Sequence, residues 1–185
     1  FDAIVLAAVP RALRAGLKRP MQIALSYDEE TGMEGAYRLV PEMARHFPPA
    51  EAVIVGEPSE MKVVTGHKGG LMLHTHVHGF EVHSSLVHTG VSAVMTAARL
   101  ITWLEAQMAA NKEAADPASL FVPPYTTLHV GMIEGGTARN IVAKDCWFST
   151  DVRVIPGESS IDWQERYRAE VARVEAEIRQ IRPEE

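Results

Sequence analysis

Two hydrophobic patterns run along the chain, and one gives way to the other near residue 66. Before that point, Ile4, Val5, Ala8, Leu13 and Leu17 recur at roughly helical spacing, predicting a buried helix over 2–17 that Pro10 kinks or interrupts. MQIALSY at 21–27 is a short apolar run between Pro20 and a group of acids, the pattern of a strand buried in a parallel sheet. A helix is predicted from Gly32 to His46, stopped by Pro48-Pro49, and a second buried strand at 52–56 (AVIVG), ended by Glu57-Pro58. Helix, strand, helix, strand is the order of an α/β layer.

Beyond residue 66 the pattern becomes amphipathic. LMLHTHVHGF at 71–80 alternates strictly, with Leu71, Leu73, Thr75 and Val77 on one face and Met72, His74, His76 and His78 on the other. A long helix is predicted from about Val91 to Lys112, then strand-rich segments at 126–136 and 140–156 joined by a Gly-Gly turn, then an amphipathic charged helix over about 161–181. This β-α-β-β-α order is one strand short of the split βαβ, or ferredoxin-like, arrangement. The expected fold class is α/β plus α+β, with part of an α/β domain at 1–66 and an α+β domain at 67–185.

Composition narrows the function classes. With 18 Lys and Arg scattered against 24 Asp and Glu, the net charge of -6 argues against a nucleic-acid partner or a membrane surface. The apolar opening FDAIVLAAVP has no basic region before it and is far short of the ~20 residues of a membrane helix. The single cysteine, Cys146, excludes an internal disulfide, so a reducing, cytoplasmic setting is expected, with Cys146 buried and structural in its strand-like run. The chain opens inside a helix without a start Met and closes on IRQIRPEE, so both ends are expected to be cut from a longer protein.

The candidate chemistry lies in carboxylates and histidines. Asp28-Glu29-Glu30 directly follows a predicted buried strand, and Glu57 follows the other. Ligands of open α/β sheets bind at the carboxyl ends of strands. Adjacent acids at a strand end point different ways, so one of Glu29 and Glu30 can bind a metal while the other holds a water, the division that metal-assisted hydrolysis needs. The competing reading is a solvated acidic turn, and carboxylates alone leave a zinc site unfinished. An H-x-H-x-H array such as His74, His76 and His78 suits a transition metal, but no acid lies on that face within the strand, so a half-exposed polar face is preferred. His83 sits in the polar loop GFEVHSS between strand and helix, where functional side chains often lie.

SYDEETGMEGA (26–36), VGEPSE (55–60), GHKGG (66–70), HSS (83–85) and PPYTTLHVGMIEGGTARNIVAKDCWFSTDVRVIPG (123–157) together resemble a family of two-zinc amide hydrolases. That family comprises acetylornithine deacetylase, succinyl-diaminopimelate desuccinylase, aminoacylase and glutamate carboxypeptidase. The PPYTTL…GGTARNIV…C…DVR run is most similar to the acetylornithine deacetylase branch. The resemblance implies a zinc-peptidase-like catalytic domain followed by a lid that mediates homodimerisation. It implies that Glu29 is the general base, that Glu30 and Glu57 are carboxylate ligands of the two zinc ions (cobalt being an alternative metal), and that His83 reaches the partner subunit's site to steady the oxyanion. Asn140 and Arg153 match lid residues that bind the substrate's carboxylate or backbone end, where an Arg fork suits a carboxylate. The implied substrate is an N-acyl amino acid, foremost N-acetyl-ornithine of arginine biosynthesis, with a desuccinylase, carboxypeptidase or aminoacylase as the alternative. The family's first metal motif, a His and a bridging Asp, has no counterpart here, nor does its last metal-binding His, so the metal site is expected to be incomplete in this chain and the fragment inactive. If the natural protein is this short, a noncatalytic dimerisation module is the better reading. Ala143 stands where the family often has Pro, a change a strand position should tolerate.

Overall fold

The computed structural model describes residues 1–182 and divides them into two compact units that meet between Val64 and Thr65. Helix α1 (Asp2–Arg14) and helix α2 (Glu34–His46) form as the periodicity predicts. Helix α1 runs on through Pro10, giving up only the hydrogen bond that proline cannot donate. It is not buried: Ile4, Leu6 and Leu13 are all exposed.

The strands expected at 21–27 and 52–56 do not form. Both runs lie in irregular chain, with Met21, Ile23, Leu25, Val53, Ile54 and Val55 exposed. An extended segment becomes a strand only when a neighbour satisfies its backbone groups, and neither run has one here. Without that sheet, α1 and α2 bury no large side chain fully: Val5, Val9, Leu39 and Met43 are only half-buried, and Gly35 is the one buried residue of 1–64.

The second unit carries the core. Strand β1 (Gly69–His78), helix α3 (Ala93–Glu113), strands β2 (Thr127–Gly135) and β3 (Asp145–Val154) and helix α4 (Ser160–Ile178) follow the β-α-β-β-α order. The sheet is antiparallel with the order β1-β3-β2, so β3 is central. The last predicted strand begins later than its apolar pattern does, at Asp145, because residues 140–144 turn away to meet the loop after β1.

The helices cover one face of the sheet, and their sequence explains how. Helix α3 buries Ala93, Ala97, Leu100 and Leu104 in one stripe, and α4 buries Trp163, Tyr167, Glu170 and Val174 at the same spacing. Each begins on a serine cap: Ser92 accepts from the Met95 N–H, and Ser159 from those of Ile161 and Asp162. The stripes meet Val77 of β1, Leu128 of β2, and Cys146, Phe148, Val152 and Val154 of β3. Burial pushes the Cys146 thiol pKa up, keeping it protonated and structural. At the end of β1 the backbone of Gly79 passes so close to the next segment that a Cβ there would lie 2.1 Å from the Val91 carbonyl oxygen, so only glycine fits.

Several polar groups of this core are tied by hydrogen bonds, while the buried Thr150 hydroxyl has no partner among the described residues. The Thr75 and Tyr167 hydroxyls share a 2.7 Å hydrogen bond between β1 and α4. The Thr126 hydroxyl (2.7 Å) and the Trp163 indole N–H (2.6 Å) both donate to Glu158 Oε2, while Thr126 Oγ1 accepts from the Ile155 N–H. Removing this shared acceptor leaves two buried donors unsatisfied. Glu158→Ala is therefore expected to lower unfolding stability by about 2–4 kcal/mol, read as a lower urea midpoint at unchanged slope. An unchanged midpoint would show that the junction carries no net stability.

Candidate functional site

In the first unit, Glu29 and Glu30 occupy a single 3-10 turn, Glu29–Thr31. Asp28, a residue to which sequence reasoning gave no part, builds that turn. Its backbone is left-handed (φ 60), a conformation Asp tolerates better than most residues. Its carbonyl accepts from the Thr31, Gly32 and Met33 N–H groups, and its Oδ1 accepts from the Gly35 N–H at 3.1 Å. Both glutamates are left exposed, and Glu57 is exposed on the irregular segment after Val55. Glu29, Glu30 and Glu57 belong to no three-ligand cluster among the described residues. Carboxylates suit zinc as donors, but these three supply oxygen only, and a zinc centre needs nitrogen or sulfur donors as well.

In the second unit, His83 caps the 3-10 turn Ser84–Thr89. Its Nδ1 accepts from the Ser85 backbone N–H at 3.2 Å and lies 2.8 Å from Ser85 Oγ. A backbone N–H only donates, so Nδ1 must be the accepting nitrogen, and the proton of the neutral ring sits on Nε2. The ring is thereby set as a donor at its far end. Asn140 is held beside it: the Ser84 N–H donates to the Asn140 carbonyl at 2.9 Å, and His83 and Ile141 form an antiparallel bridge. An adjacent cleft of about 300 Å³ is lined by Ser84, Val87, Met95, Ala138, Ile141 and Val142.

Arg153 is not part of this group. It lies at the far end of β3, opposite Gly70 and Thr127, with its Nε donating to Asp151 Oδ2 at 2.9 Å. It lies eight residue steps along the strand from Asp145, about 26 Å at roughly 3.3 Å per step.

The histidine face of β1 differs from the sequence reading. The strand does present His74, His76 and His78 on the face away from the helices, but an acid is there too. It comes from β3, where Asp145 pairs with His78 in the ladder and its Oδ1 accepts from both His76 and His78. The antiparallel pairing of 69–78 with 145–154 is the signal that finds it. The hydrogen bonds from His78 and His76 hold the Asp145 carboxyl below the usual carboxylate range.

Comparison with known proteins adds family to geometry. Residues 65–179 match the family model described as the peptidase dimerisation domain of the M20 type. The acetylornithine deacetylase of Myxococcus xanthus is 36% identical over 189 residues, covering 96% of this chain and 48% of the relative. That of Erwinia tasmaniensis is 34% identical over 157 residues, covering 85% of this chain and 40% of the relative. The chain thus spans about half the length, or less, of these curated relatives. A solved amidase of the hydantoinase/carbamoylase family from Burkholderia vietnamiensis is 21% identical, covering 60% of this chain and 25% of that one, with a TM-score of 0.47. None of the described helices is long and apolar enough to cross a membrane. With the match running from Thr65 through the last helix of the βαββα unit, the chain belongs to the M20 peptidase dimerisation-domain family.

Proposed function

We propose that this chain is the central part of a zinc-dependent, cytoplasmic hydrolase that removes the acetyl group from N-acetyl-ornithine and works as a homodimer. Residues 1–66 would belong to the catalytic domain and 67–185 would be the lid. The observation that carries this reading is the 36% identity to an acetylornithine deacetylase over 96% of the chain, a span that includes both acidic segments and the His83 loop.

In that protein Glu30 and Glu57 would hold two zinc ions (or cobalt), with further ligands from outside the present residues. When bound, zinc lowers the pKa of a water and polarises the amide carbonyl. Glu29 takes the proton of the attacking water and passes it to the departing amine. His83, from the partner's lid, donates its Nε2 proton to the oxyanion of the tetrahedral intermediate, the orientation favoured by the Ser85 N–H on Nδ1. Asn140 and Arg153 bind the substrate's carboxylate or backbone end. Because they stand at opposite ends of one lid, a small substrate would meet Asn140 of one subunit and Arg153 of the other.

The substrate is tested by comparing acetate release from N-acetyl-ornithine with succinate release from N-succinyl-diaminopimelate, using the zinc-loaded protein at the relatives' full length. N-acetyl-ornithine is expected to be the better substrate by kcat/KM, and the 185-residue chain alone should release no acetate. Preference for the succinyl compound would reassign the protein within the family.

A further inference from the structure

The cluster on the open face of the sheet is a set of converging metal donors. Strict alternation along β1 brings His76 and His78 to the side that α3 and α4 do not cover. The register of β1 on β3 then sets Asp145 opposite His78 and Trp147 opposite His76. Asp145 Oδ1 lies 2.8 Å from His76 Nε2 and 2.9 Å from His78 Nδ1, and one donor atom from each of the three residues lies within 4.8 Å of the other two. The His76 ring is stacked on the Trp147 indole, with centroids 4.4 Å apart and planes 4° from parallel, which limits its rotation. The cluster is thus built on two paired strands, not on a loop.

Two imidazole nitrogens and one carboxylate oxygen are the donor set of zinc and its neighbours, whereas calcium and magnesium prefer oxygen alone. Zinc bonds of about 2.0–2.2 Å at tetrahedral angles need donors roughly 3.3 Å apart, so each histidine–Asp145 contact would open by only about half an ångström, while the two imidazole nitrogens already lie within 4.8 Å of each other. The three side chains are 44%, 57% and 32% exposed, which gives a hydrated ion a path in and leaves its remaining coordination positions facing water. A hydrogen-bonded surface triad alone is worth little stability, since solvent competes with it.

We propose that His76, His78 and Asp145 form a binding site for one divalent transition-metal ion of the zinc class, which clamps the edge strand β1 to the central strand β3. This site uses none of Glu29, Glu30 or Glu57, so the proposal stands whether or not the hydrolase reading does.

The test is calorimetric titration of zinc chloride into the 185-residue chain. One equivalent of zinc is expected to bind, and His76→Ala and Asp145→Asn are each expected to weaken it more than about 10-fold. His74→Ala, on the same face but outside the cluster, should leave binding unchanged, as should the combined Glu29→Gln, Glu30→Gln and Glu57→Gln variant. Circular dichroism checks that the surface variants keep the fold. Cupric ion supplies a second readout: bound beside Trp147 it should quench indole fluorescence in the parent chain and not in His76→Ala. Absence of zinc binding by the parent, or equal affinity in His76→Ala and Asp145→Asn, would overturn the site.

Discussion

Glu29→Gln in the full-length, zinc-loaded protein is expected to reduce kcat about 10²–10⁴-fold, the range associated with a positioned general base. Gln has nearly the same size and keeps a hydrogen-bonding oxygen, but it cannot accept a proton. Glu29 is exposed on a turn that Asp28 holds through its own backbone and side chain, so the change should leave that turn intact. Metal content measured alongside should stay at two ions per subunit, because the ligand roles are proposed for Glu30 and Glu57 and not for Glu29. Near-normal turnover with both metals bound would remove Glu29 as the base. A loss of one metal together with activity would make it a ligand instead.

His83→Ala is expected to lower kcat about 10²–10³-fold with a much smaller change in KM, the signature of a donor needed mainly in the transition state. The reason lies in the ring's set tautomer. With Nδ1 occupied by the Ser85 N–H, only Nε2 offers a proton. His83→Gln, which keeps a side-chain donor, should recover part of the loss. A large rise in KM at constant kcat would mean that His83 serves ground-state binding.

How far these assignments were legible in the sequence depended on how local the governing interactions are. The βαββα unit could be read because its core is written in periodicity. Leu100 and Leu104 on α3, Tyr167 and Val174 on α4, and the alternation of β1 each mark a buried face without knowledge of the partner. The runs at 21–27 and 52–56 carry the same apolar signal, yet they remain unpaired and exposed, because a strand also depends on a neighbour that the run itself cannot specify. Asp145 was missed as the partner of His76 for a related reason. It lies 69 residues away along the chain and reaches the histidines only through strand register. The closeness of His83 and Asn140 comes from a backbone bridge between two loops, which no residue pattern announces. Arg153 was legible as a candidate carboxylate binder, but its distance from Asn140 follows from the length of β3.

The most direct test mixes the two inactive variants. Glu29→Gln and His83→Ala proteins, each at full length and zinc-loaded, are dissociated together, reassembled and assayed for acetate release from N-acetyl-ornithine. In a mixed dimer, one site has an intact Glu29 and receives an intact His83 from its partner, while the other site lacks both. Random reassembly should therefore recover about one quarter of wild-type activity, since about half the dimers are mixed and each has one working site of two. Activity no higher than that of either variant alone, with mixed dimers demonstrably formed, would contradict a shared site built from Glu29 of one subunit and His83 of the other.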